Sequence, residues 1–360
     1  MVGADALKQI VLSQSSINGA YHSPQLLSEA GYFSVVFSAR RSTNNKPVVL
    51  KFFVDPSGGS DTYRRMAFDR EGTLLWNVLR GEDRFVQLVD VPTTLPFSIP
   101  LPGGTQIALQ LPFLAFEWMN GGDAESLASQ PMQTIQDLIG RIECFRDMVR
   151  CVARLHRLNC FHRDLKPGNF LFENSFAGRE VKLSDFGTIR LCDGSPPLAL
   201  EYRDPVGDLR YAAPELFSGV DIPQQWNRTA DIFSLGAILF ELLTGDQLIS
   251  ATFGDVAQAL LFQQHLKARP AKDRLTLFEG FLDQHGHSLP RVRSVNPLIP
   301  RSIDRYLDDL VCSLAEFDFR KRTVDLGSVV RVLDICRLVL RNEQKVQERL
   351  GRRRAAGRTP

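Results

Sequence analysis

Residues 162–171 read HRDLKPGNFL, and residues 185–187, sixteen positions beyond Asn169, read DFG. A strand-like segment, VKLS at residues 181–184, leads into the second stretch. The two stretches supply two carboxylates (Asp164 and Asp185), one ammonium group (Lys166) and one side-chain amide (Asn169). Mg²⁺ prefers hard oxygen ligands, such as a carboxylate combined with phosphate groups. Chemistry on a phosphoryl group depends on positioning and on neutralising negative charge, and these residue types meet both needs.

This pair of motifs, in this order, resembles the catalytic loop and the metal-binding motif of eukaryotic-type (Hanks-type) Ser/Thr protein kinases. The resemblance implies that Asp164 accepts the proton of the substrate hydroxyl and that Lys166 neutralises the γ-phosphate. It makes Asn169 and Asp185 the metal ligands. It also makes ATP and Mg²⁺ the cofactors, with Mn²⁺ as an alternative metal. Lys166 favours Ser/Thr over Tyr as the phosphate acceptor.

The resemblance covers nearly the whole chain and implies a fold of the α+β class. This is the two-lobed protein-kinase fold, with a small β-rich N-lobe, a larger and mainly helical C-lobe, and ATP–Mg²⁺ in the cleft. We predict an N-terminal extension at residues 1–24, an ATP-binding N-lobe at 25–119, and a catalytic and substrate-binding C-lobe at 120–340. Residues 341–360 are basic and are predicted to form a disordered tail.

The segment VVLKFF at residues 48–53 is apolar except for Lys51, which is typical of a buried strand. A lysine in such a strand needs an ionic partner, because burying an unpaired charge is costly. Residues 63–78 have helical character and place Glu71 twenty residues after Lys51. By resemblance, Lys51 and Glu71 form the ion pair of the ATP-binding lobe and belong to the catalytic machinery. The alternative for Lys51 is a charge that protects an exposed strand edge.

The glycine-rich loop departs from the family pattern. Residues 29–36 read EAGYFSVV, so Gly31 is the one glycine, and Glu29 and Ser34 occupy the other two glycine positions. Fewer glycines leave the backbone amides less freedom to approach phosphates. Besides Lys51, the resemblance assigns six residues to nucleotide binding: Gly31, Val36, Val49, Glu117, Met119 and Leu171. Either Asp123 or Glu125 would reach the ribose.

Residues 134–158 carry apolar side chains at helical spacing, which predicts one long helix that ends just before the catalytic loop. A second apolar helix is predicted to begin at Asp231 and to stop at Gly245. By resemblance, Asp231 holds the backbone of the catalytic loop. Glu215, in the sequence APE at 213–215, is predicted to form a buried ion pair with Arg322.

The segment between the metal motif and Glu215 departs from the family once more, because Asp208 stands where the family usually has a threonine. Because Asp208 places a second carboxylate near Asp164, the two like charges are expected to raise one another's pKa. Arg163 is of the kind that usually receives a phosphate of this segment. We predict that an acidic residue serves it instead, and the candidates are Asp193, Glu201 and Asp204.

The composition is that of an ordinary globular protein, with 44% hydrophobic and 23% charged residues in a chain of 360. No apolar stretch reaches the roughly 18 residues of a membrane span, and no signal peptide is evident. The six cysteines show no metal-ligand spacing, and five of them are predicted to be reduced core residues. These features favour a cytoplasmic location. Residues 341–360 carry a net charge of +5, from seven Arg or Lys and two Glu, which suits an acidic partner, with contact to a membrane or a nucleic acid as alternatives. No nucleic-acid-binding fold is indicated.

The resulting prediction is a kinase that transfers the γ-phosphoryl group of ATP to Ser/Thr hydroxyls of protein substrates, with autophosphorylation as one outcome. The alternative is a pseudokinase-like nucleotide-binding scaffold, which the altered glycine loop and Asp208 favour. A kinase of small molecules is disfavoured by the APE sequence at 213–215, which helps to shape a docking surface for peptides. Two segments, 92–105 and 247–300, look like insertions. The oligomeric state is left open.

Overall fold

The computed structural model of this chain describes residues 3–31, 34–54, 62–100, 106–176, 178–191, 207–217, 219, 226–284 and 289–356. By its internal contacts the chain divides into two compact units. The N-terminal unit comprises Met1–Asn120 together with Ser184–Gly187, and the C-terminal unit comprises Gly121–Leu183 together with Thr188–Pro360.

The N-terminal unit is built on an antiparallel sheet of six strands in the order β1-β2-β3-β4-β6-β5. Its strands and two helices are α1 (Ala4–Ser13), β1 (Ser16–Ile17), β2 (Tyr21–Gly31), β3 (Ser34–Arg41), β4 (Pro47–Phe53), α2 (Thr62–Asn77), β5 (Thr93–Pro100) and β6 (Gln106–Glu117). Strand β5 covers residues 93–100 of the segment 92–105, which looks like an insertion, and pairs with β6 along its whole length.

The N-terminal segment contributes to the core of this unit. Leu7, Ile10 and Val11 of α1 are buried together with Ile17 and with the apolar face of the sheet. Residues 1–24 are predicted as an extension, and the structure shows that their helix fills part of the core. Such burial stabilises by about 25 cal/mol per Å² of apolar surface removed from water, so loss of α1 should uncover one face of the sheet.

The C-terminal unit is mainly helical, with two small antiparallel ribbons that pair β7 with β10 and β8 with β9. Its elements are α3 (Glu125–Ala128), α4 (Ile135–Arg157), β7 (Cys160–Phe161), β8 (Phe170–Ser175), β9 (Gly178–Leu183), β10 (Arg190–Leu191), α5 (Pro214–Phe217), α6 (Asn227–Thr244), α7 (Leu248–Phe253), α8 (Val256–Lys267), α9 (Ala271–Gln284), α10 (Val292–Val295), α11 (Asp304–Leu314) and α12 (Leu326–Ala356). The sheet-rich first part and the helical second part confirm the predicted α+β fold.

Two long helices, α4 and α6, form the centre of this unit, and local sequence explains their ends. Thr134 caps α4 by accepting a hydrogen bond from the Asp137 amide, and the Asp137 carboxylate accepts one from the Thr134 amide. α6 begins at Asn227, earlier than the predicted Asp231, and its last residue, Thr244, is followed by the cap Gly245, whose φ of 83° is in the left-handed region that favours glycine. The residues of α6 between Thr229 and Leu243 are all buried, so this helix is a rigid anchor for the segments around it.

The last helix differs from the prediction. Residues 341–360 are predicted to be disordered, but α12 continues as a helix through Ala356. The earlier turns of α12 pack against α4, and Arg337 and Arg341 both form ion pairs with Glu143 of α4. Once its first turns are held in this way, the helix can propagate through Arg, Gln, Glu and Ala, which are strong helix formers. Residues 357–360 lie outside the described residues.

The cysteines follow the prediction with one exception. Cys144, Cys151, Cys160 and Cys336 are buried, and none of the five described cysteines forms a disulfide. Cys312 is exposed on α11, which corrects its prediction as a core residue, whereas Cys192 lies outside the described residues. None of the helices within the described ranges is long and apolar enough to cross a membrane.

Candidate active site

The N-terminal unit holds a cluster of three charged side chains, Lys51, Glu71 and Asp185. Lys51 lies in β4 and Glu71 in α2. The Lys51 Nζ donates hydrogen bonds of 2.8 Å to Glu71 Oε2 and of 2.8 Å to Asp185 Oδ1. Glu71 is fully buried, and its Oε1 accepts a hydrogen bond of 3.1 Å from the Phe186 amide. The predicted ion pair between Lys51 and Glu71 is therefore present, and Asp185 joins it.

Burial and charge act in opposite directions on this cluster. Burial alone would lower the pKa of Lys51, but the carboxylates of Asp185 and Glu71 raise that pKa above its ordinary value. Burial raises the pKa of Glu71, against the opposing effect of the Lys51 ammonium. Lys51 therefore stays charged over the whole physiological range. The side chain of Asp185 is 41% exposed, so this carboxylate is the member of the cluster that solvent and ligands can reach.

The turn that presents Asp185 is held by its neighbour, Phe186. Asp185 has a φ of 60°, a left-handed conformation that is uncommon outside glycine and that aspartate tolerates better than most residues. The Phe186 ring is fully buried and packs edge-on against Phe85, with 5.6 Å between the ring centroids. The buried ring and the Glu71–Phe186 hydrogen bond together fix the backbone on one side of the carboxylate.

Three of the predicted nucleotide-site residues share one face of the sheet. Val36 on β3 is the cross-strand partner of Lys51, and Val49 lies two residues before Lys51 on β4. Val36 and Val49 remain partly exposed. The alternate residues of both strands point the other way and are buried in the core: Val35, Phe37, Val48, Leu50 and Phe52. This face therefore presents two apolar side chains beside an ammonium group, which suits a flat aromatic base next to phosphates.

The glycine loop is only partly described. Gly31 is the last residue of β2 and pairs with Ser34 at the start of β3. Tyr32 and Phe33, which complete this loop, lie outside the described residues. The position of Gly31 at the tip of the hairpin agrees with a role in nucleotide binding, which stays a prediction.

The remaining predicted nucleotide contacts are placed by strands β6 and β8. Glu117 ends β6, where its amide donates a hydrogen bond of 3.0 Å to the Gln87 carbonyl, and Met119 follows two residues later. Leu171 lies in β8 of the C-terminal unit and forms an isolated bridge with Asp123. The structure thus groups Gly31, Val36, Val49, Glu117 and Met119 in the N-terminal unit, and Leu171 belongs to the other unit.

The C-terminal unit holds the loop that contains Asp164, Lys166 and Asn169. The Lys166 Nζ donates a hydrogen bond of 3.2 Å to Asp164 Oδ2. Asn169 is buried, and its Nδ2 donates a hydrogen bond of 2.7 Å to the Asp164 carbonyl. Because the amide nitrogen of Asn169 faces this carbonyl, its side-chain oxygen points to the opposite side. The structure therefore brings these three predicted residues together in a single turn of chain.

Asp231 of α6 holds this loop, as predicted. Its Oδ2 accepts a hydrogen bond of 2.9 Å from the His162 amide, and its Oδ1 accepts one of 2.7 Å from the Arg163 amide. The His156 Nε2 lies 2.9 Å from Asp231 Oδ2. Arg163 has a φ of 71°, a strained conformation that costs on the order of 1–3 kcal/mol and needs such support. Burial alone would raise the pKa of Asp231, but its bond to His156 and its other partners lower it.

Asp208 corrects one electrostatic prediction. A carboxylate close to Asp164 is expected to have a raised pKa, but the pKa of Asp208 is lowered. Burial would raise it, and the hydrogen bonds from the Arg210 side chain and amide outweigh burial. The prediction failed because it considered the like charge of Asp164 and left out Arg210, two residues away. An Asp-x-Arg spacing is the signal in the sequence that could have revealed this pair.

The predicted pair of Glu215 and Arg322 is present and deeply buried. Arg322 Nη1 lies 2.5 Å from Glu215 Oε1 and Nη2 lies 2.8 Å from Oε2, so the contact is bidentate. The guanidinium also donates to the carbonyls of Thr229, Glu316 and Phe317. This pair ties α5 to the loop between α11 and α12.

The predicted acidic partners of Arg163, which are Asp193, Glu201 and Asp204, lie outside the described residues. Two hydroxyls of this segment are described and both are engaged. The Thr188 Oγ1 donates a hydrogen bond of 2.7 Å to the His162 carbonyl, and the buried Tyr211 hydroxyl donates one of 2.7 Å to Glu241 Oε2.

Comparison with known proteins agrees with this geometry. The chain is 30% identical over 204 residues to serine/threonine-protein kinase PknJ of Mycobacterium tuberculosis, a match that covers 56% of this chain and 33% of that protein. It is 30% identical over 161 residues to ribosomal protein S6 kinase alpha-4 of Homo sapiens, over 44% of this chain and 20% of that protein. It is 29% identical over 165 residues to the probable serine/threonine-protein kinase PknB of Bifidobacterium longum, over 43% of this chain and 21% of that protein.

The chain spans a third or less of the length of each of these relatives. The family model described as the protein kinase domain matches residues 27–326, which is most of the chain. With Ser/Thr kinases as its relatives, the chain belongs to the protein kinase domain family, and the predicted resemblance is confirmed.

Proposed function

We propose that this protein is an ATP- and Mg²⁺-dependent kinase that phosphorylates Ser and Thr hydroxyls of proteins, its own included. The observation that carries the proposal is the position of Lys51 between Glu71 and Asp185, at 2.8 Å from each carboxylate. A lysine and two carboxylates sum to a charge of −1 in a site where Glu71 is fully buried. Such an excess of negative charge is costly without a cation, and Asp185 is sufficiently exposed to meet one.

The residues fit the metal that the family implies. Asp185 offers carboxylate oxygens, and the amide of Asn169 presents its oxygen because its nitrogen is bonded to the Asp164 carbonyl. Mg²⁺ normally completes its octahedral shell with phosphate and water oxygens. We therefore assign Asn169 and Asp185 as the two protein ligands of Mg²⁺, which supplies neutralisation of the phosphate charge when it is bound.

The chain's own residues have separate tasks in the transfer. Asp164 accepts the proton of the substrate hydroxyl while the hydroxyl oxygen forms its bond to the γ-phosphorus. The bond between that phosphorus and the β–γ bridging oxygen breaks, and ADP leaves. Lys166, at 3.2 Å from Asp164, is near enough to neutralise the transferred group. Lys51 is assigned to the phosphates of ATP, and Glu71 keeps Lys51 in place.

The remaining assignments belong to the same proposal. Gly31, Val36, Val49, Glu117, Met119 and Leu171 would contact the nucleotide, with 25–119 as the ATP-binding part and 120–340 as the catalytic and substrate-binding part. The basic residues after 340 would bind an acidic partner. A cytoplasmic location is supported by cysteines that are reduced in the part of the chain that the structure describes.

The test is the intact mass of purified protein after incubation with ATP and Mg²⁺. Wild-type protein should gain whole phosphates of about 80 Da each, and Asp185→Asn should gain none. Asp69→Asn is the matched control, because Asp69 is also a carboxylate of the N-terminal unit but its ion pair with Arg65 is exposed. It should behave like wild type. A peptide library with Ser, Thr or Tyr acceptors then establishes the acceptor class.

The scaffold alternative is favoured by two features of the sequence, the altered glycine loop and the presence of Asp208 in place of threonine. It predicts tight binding of ATP–Mg²⁺ by the wild type without any gain in mass. Equal phosphate incorporation by wild type and Asp185→Asn would instead contradict the assignment of Asp185 as a metal ligand.

A further inference from the structure

The segment at Gly207 and Asp208 lies directly against the catalytic loop. The Asp208 amide donates a hydrogen bond of 2.8 Å to Asp164 Oδ1. Gly207 has a φ of 96°, and a Cβ at this position would lie 2.8 Å from the Arg163 carbonyl oxygen. Only glycine therefore allows the backbone to approach so closely. The two oxygens of Asp164 have different donors, because Oδ2 accepts from Lys166 and Oδ1 from this amide.

The side chain of Asp208 is held by Arg210. The Arg210 amide and Nε each donate a hydrogen bond of 3.0 Å to Asp208 Oδ1, and Nη2 donates one of 2.6 Å to Oδ2. Both side chains are partly buried, with exposed fractions of 21% and 35%. Charge-assisted hydrogen bonds of this fork geometry are among the strongest between side chains. The carboxylate is thus fixed by its own neighbour.

Arg210 is in turn connected to the rigid centre of the C-terminal unit. Its guanidinium lies 5.3 Å from the centroid of the Tyr211 ring, within the range of a cation–π contact. The Tyr211 hydroxyl donates a hydrogen bond of 2.7 Å to Glu241 of α6, and Tyr211 is buried. A continuous series of contacts therefore runs from the Asp164 carboxylate to α6.

We propose that Asp208 and Arg210 are a positioning pair for Asp164, in which Arg210 holds the Asp208 carboxylate so that the Asp208 amide can hold Asp164. The inference rests on the proposed function. Without Arg210, the Asp208 carboxylate would be attracted to Lys166 and would compete with Asp164 for that ammonium. The pair thus takes the place of the single threonine that the family usually has here. Arg210 acts through Asp208 and is a positioning residue rather than a catalytic one.

The chain contains a matched control for this pair. Asp318 and Arg320 have the same spacing, with hydrogen bonds of 2.7 Å from Arg320 Nε to Oδ1 and of 3.1 Å from Nη2 to Oδ2. The Arg320 guanidinium also lies near the next aromatic ring, 5.6 Å from the centroid of Phe319. This second pair lies between α11 and α12 and reaches Glu279. Loss of Arg320 therefore measures how the loss of an Asp-x-Arg pair changes stability when the pair of Asp208 and Arg210 is intact.

The experiment measures kcat, KM and Tm for Arg210→Ala, Arg210→Lys, Asp208→Thr, the double variant Asp208→Thr/Arg210→Ala, and Arg320→Ala. Arg210→Ala should lower kcat about tenfold with little change in the KM for peptide, because about 1.4 kcal/mol of transition-state stabilisation is lost. Arg210→Lys should recover part of this loss. The double variant should return to within about threefold of Asp208→Thr, since the two sites are coupled. Arg320→Ala should change Tm as much as Arg210→Ala does but leave kcat unchanged.

Amide hydrogen exchange gives a second readout that needs no catalytic activity. Exchange at the Asp208 amide should be faster in Arg210→Ala than in the wild type and unchanged in Arg320→Ala. This readout separates the inference from the proposed function, which fails on its own if the wild type transfers no phosphate. The inference is overturned if Arg210→Ala leaves both kcat and Asp208 exchange at wild-type values. It is also overturned if the losses of the two single variants simply multiply in the double variant.

Discussion

The Arg322–Glu215 pair and the Lys51–Glu71 pair are both buried, but they differ in how completely protein surrounds them. The Arg322 and Glu215 side chains are 0% and 1% exposed. Three backbone carbonyls also accept hydrogen bonds from the Arg322 guanidinium. Lys51 is 11% exposed and shares its ammonium with Asp185, which is 41% exposed. The Arg322–Glu215 pair is therefore closed to solvent, whereas the Lys51–Glu71 pair is joined to a carboxylate, Asp185, that solvent reaches.

The two sites also differ in net charge. One arginine and one glutamate cancel, so the closed pair needs nothing further, and its value lies in holding two distant segments together. One lysine and two carboxylates leave the open cluster of Lys51, Glu71 and Asp185 with a net charge of −1, and its exposed carboxylate, Asp185, is the one proposed to meet Mg²⁺. The comparison teaches that a closed, neutral ion pair serves the fold, whereas a charged cluster that ends in an exposed carboxylate has the properties expected of the proposed ligand site.

The largest effect is expected from Arg322→Ala. This change leaves the Glu215 carboxylate buried without its partner, which should destabilise the fold by about 3–5 kcal/mol. Urea unfolding of the variant and the wild type measures the difference. Arg331→Ala is the control, because the Arg331–Asp325 pair is largely exposed on both sides and should contribute less than about 1 kcal/mol. Equal free energies of unfolding for Arg322→Ala and Arg331→Ala would contradict the claim that the closed pair stabilises the fold more than an exposed pair does.

The second-largest effect is expected from Lys51→Met, and it should appear mainly as a lower kcat. Loss of a fixed charge at the phosphates should lower kcat by about 10²–10³-fold, whereas the destabilisation should be smaller than for Arg322→Ala because Glu71 can take up a proton. Peptide phosphorylation and urea unfolding measure the two quantities.

Lys8→Met is the matched control for that change. Lys8 also lies between two carboxylates, Asp5 and Glu29, at 2.7 and 2.9 Å, but these are 92% and 51% exposed. Its loss should change neither rate nor stability appreciably. A rate for Lys51→Met close to that of Lys8→Met would contradict the role of the open cluster.

The smallest effect is a difference in pH dependence between two buried carboxylates. The pKa of Glu71 is raised above its ordinary value of 4.5 by burial. Its contribution to stability is therefore full below pH 4.5 and is lost as the pH rises through the folded-state pKa. Asp231 has a lowered pKa, mainly through His156 acting against burial. Its contribution is full above pH 3.8 and is lost as the pH falls below that value.

Urea unfolding from pH 3 to pH 8 measures this difference. The free energy of unfolding of the wild type, relative to Glu71→Gln, should fall as the pH rises above 4.5. Relative to Asp231→Asn, it should fall as the pH drops below 3.8. The same slope for both variants would show that burial does not dominate at Glu71.

Much of this arrangement could be predicted from the sequence, because family motifs specify pairs that are far apart in the chain. Lys51 with Glu71, Asp231 with the catalytic loop, and Glu215 with Arg322 were all predicted, and all are present. The long helices followed from apolar spacing and, for α6, from the stop at Gly245. These features are determined locally or by motif order, so tertiary contacts were not needed to infer them.

Other features depend on tertiary contacts that no motif encodes. Helix α1 is buried because three of its apolar residues pack against the sheet. The helix at 341–356 depends on the packing of the earlier turns of α12 against α4. The lowered pKa of Asp208 depends on the orientation of Arg210, and the exposure of Cys312 depends on which face of α11 is covered. In each case the residue types alone are compatible with both the predicted and the observed arrangement, and tertiary packing determines which of the two forms.

The most direct test of the central claim compares two double variants in the phosphate-incorporation experiment. Lys51→Met/Glu71→Leu and Glu215→Leu/Arg322→Met each replace a buried pair by apolar side chains, which often restores stability lost in single variants. Both should be folded at the assay temperature. We predict that Glu215→Leu/Arg322→Met still gains phosphate from ATP and Mg²⁺, whereas Lys51→Met/Glu71→Leu gains none. Phosphate incorporation by Lys51→Met/Glu71→Leu at the wild-type level would contradict the claim that the open cluster serves phosphoryl transfer.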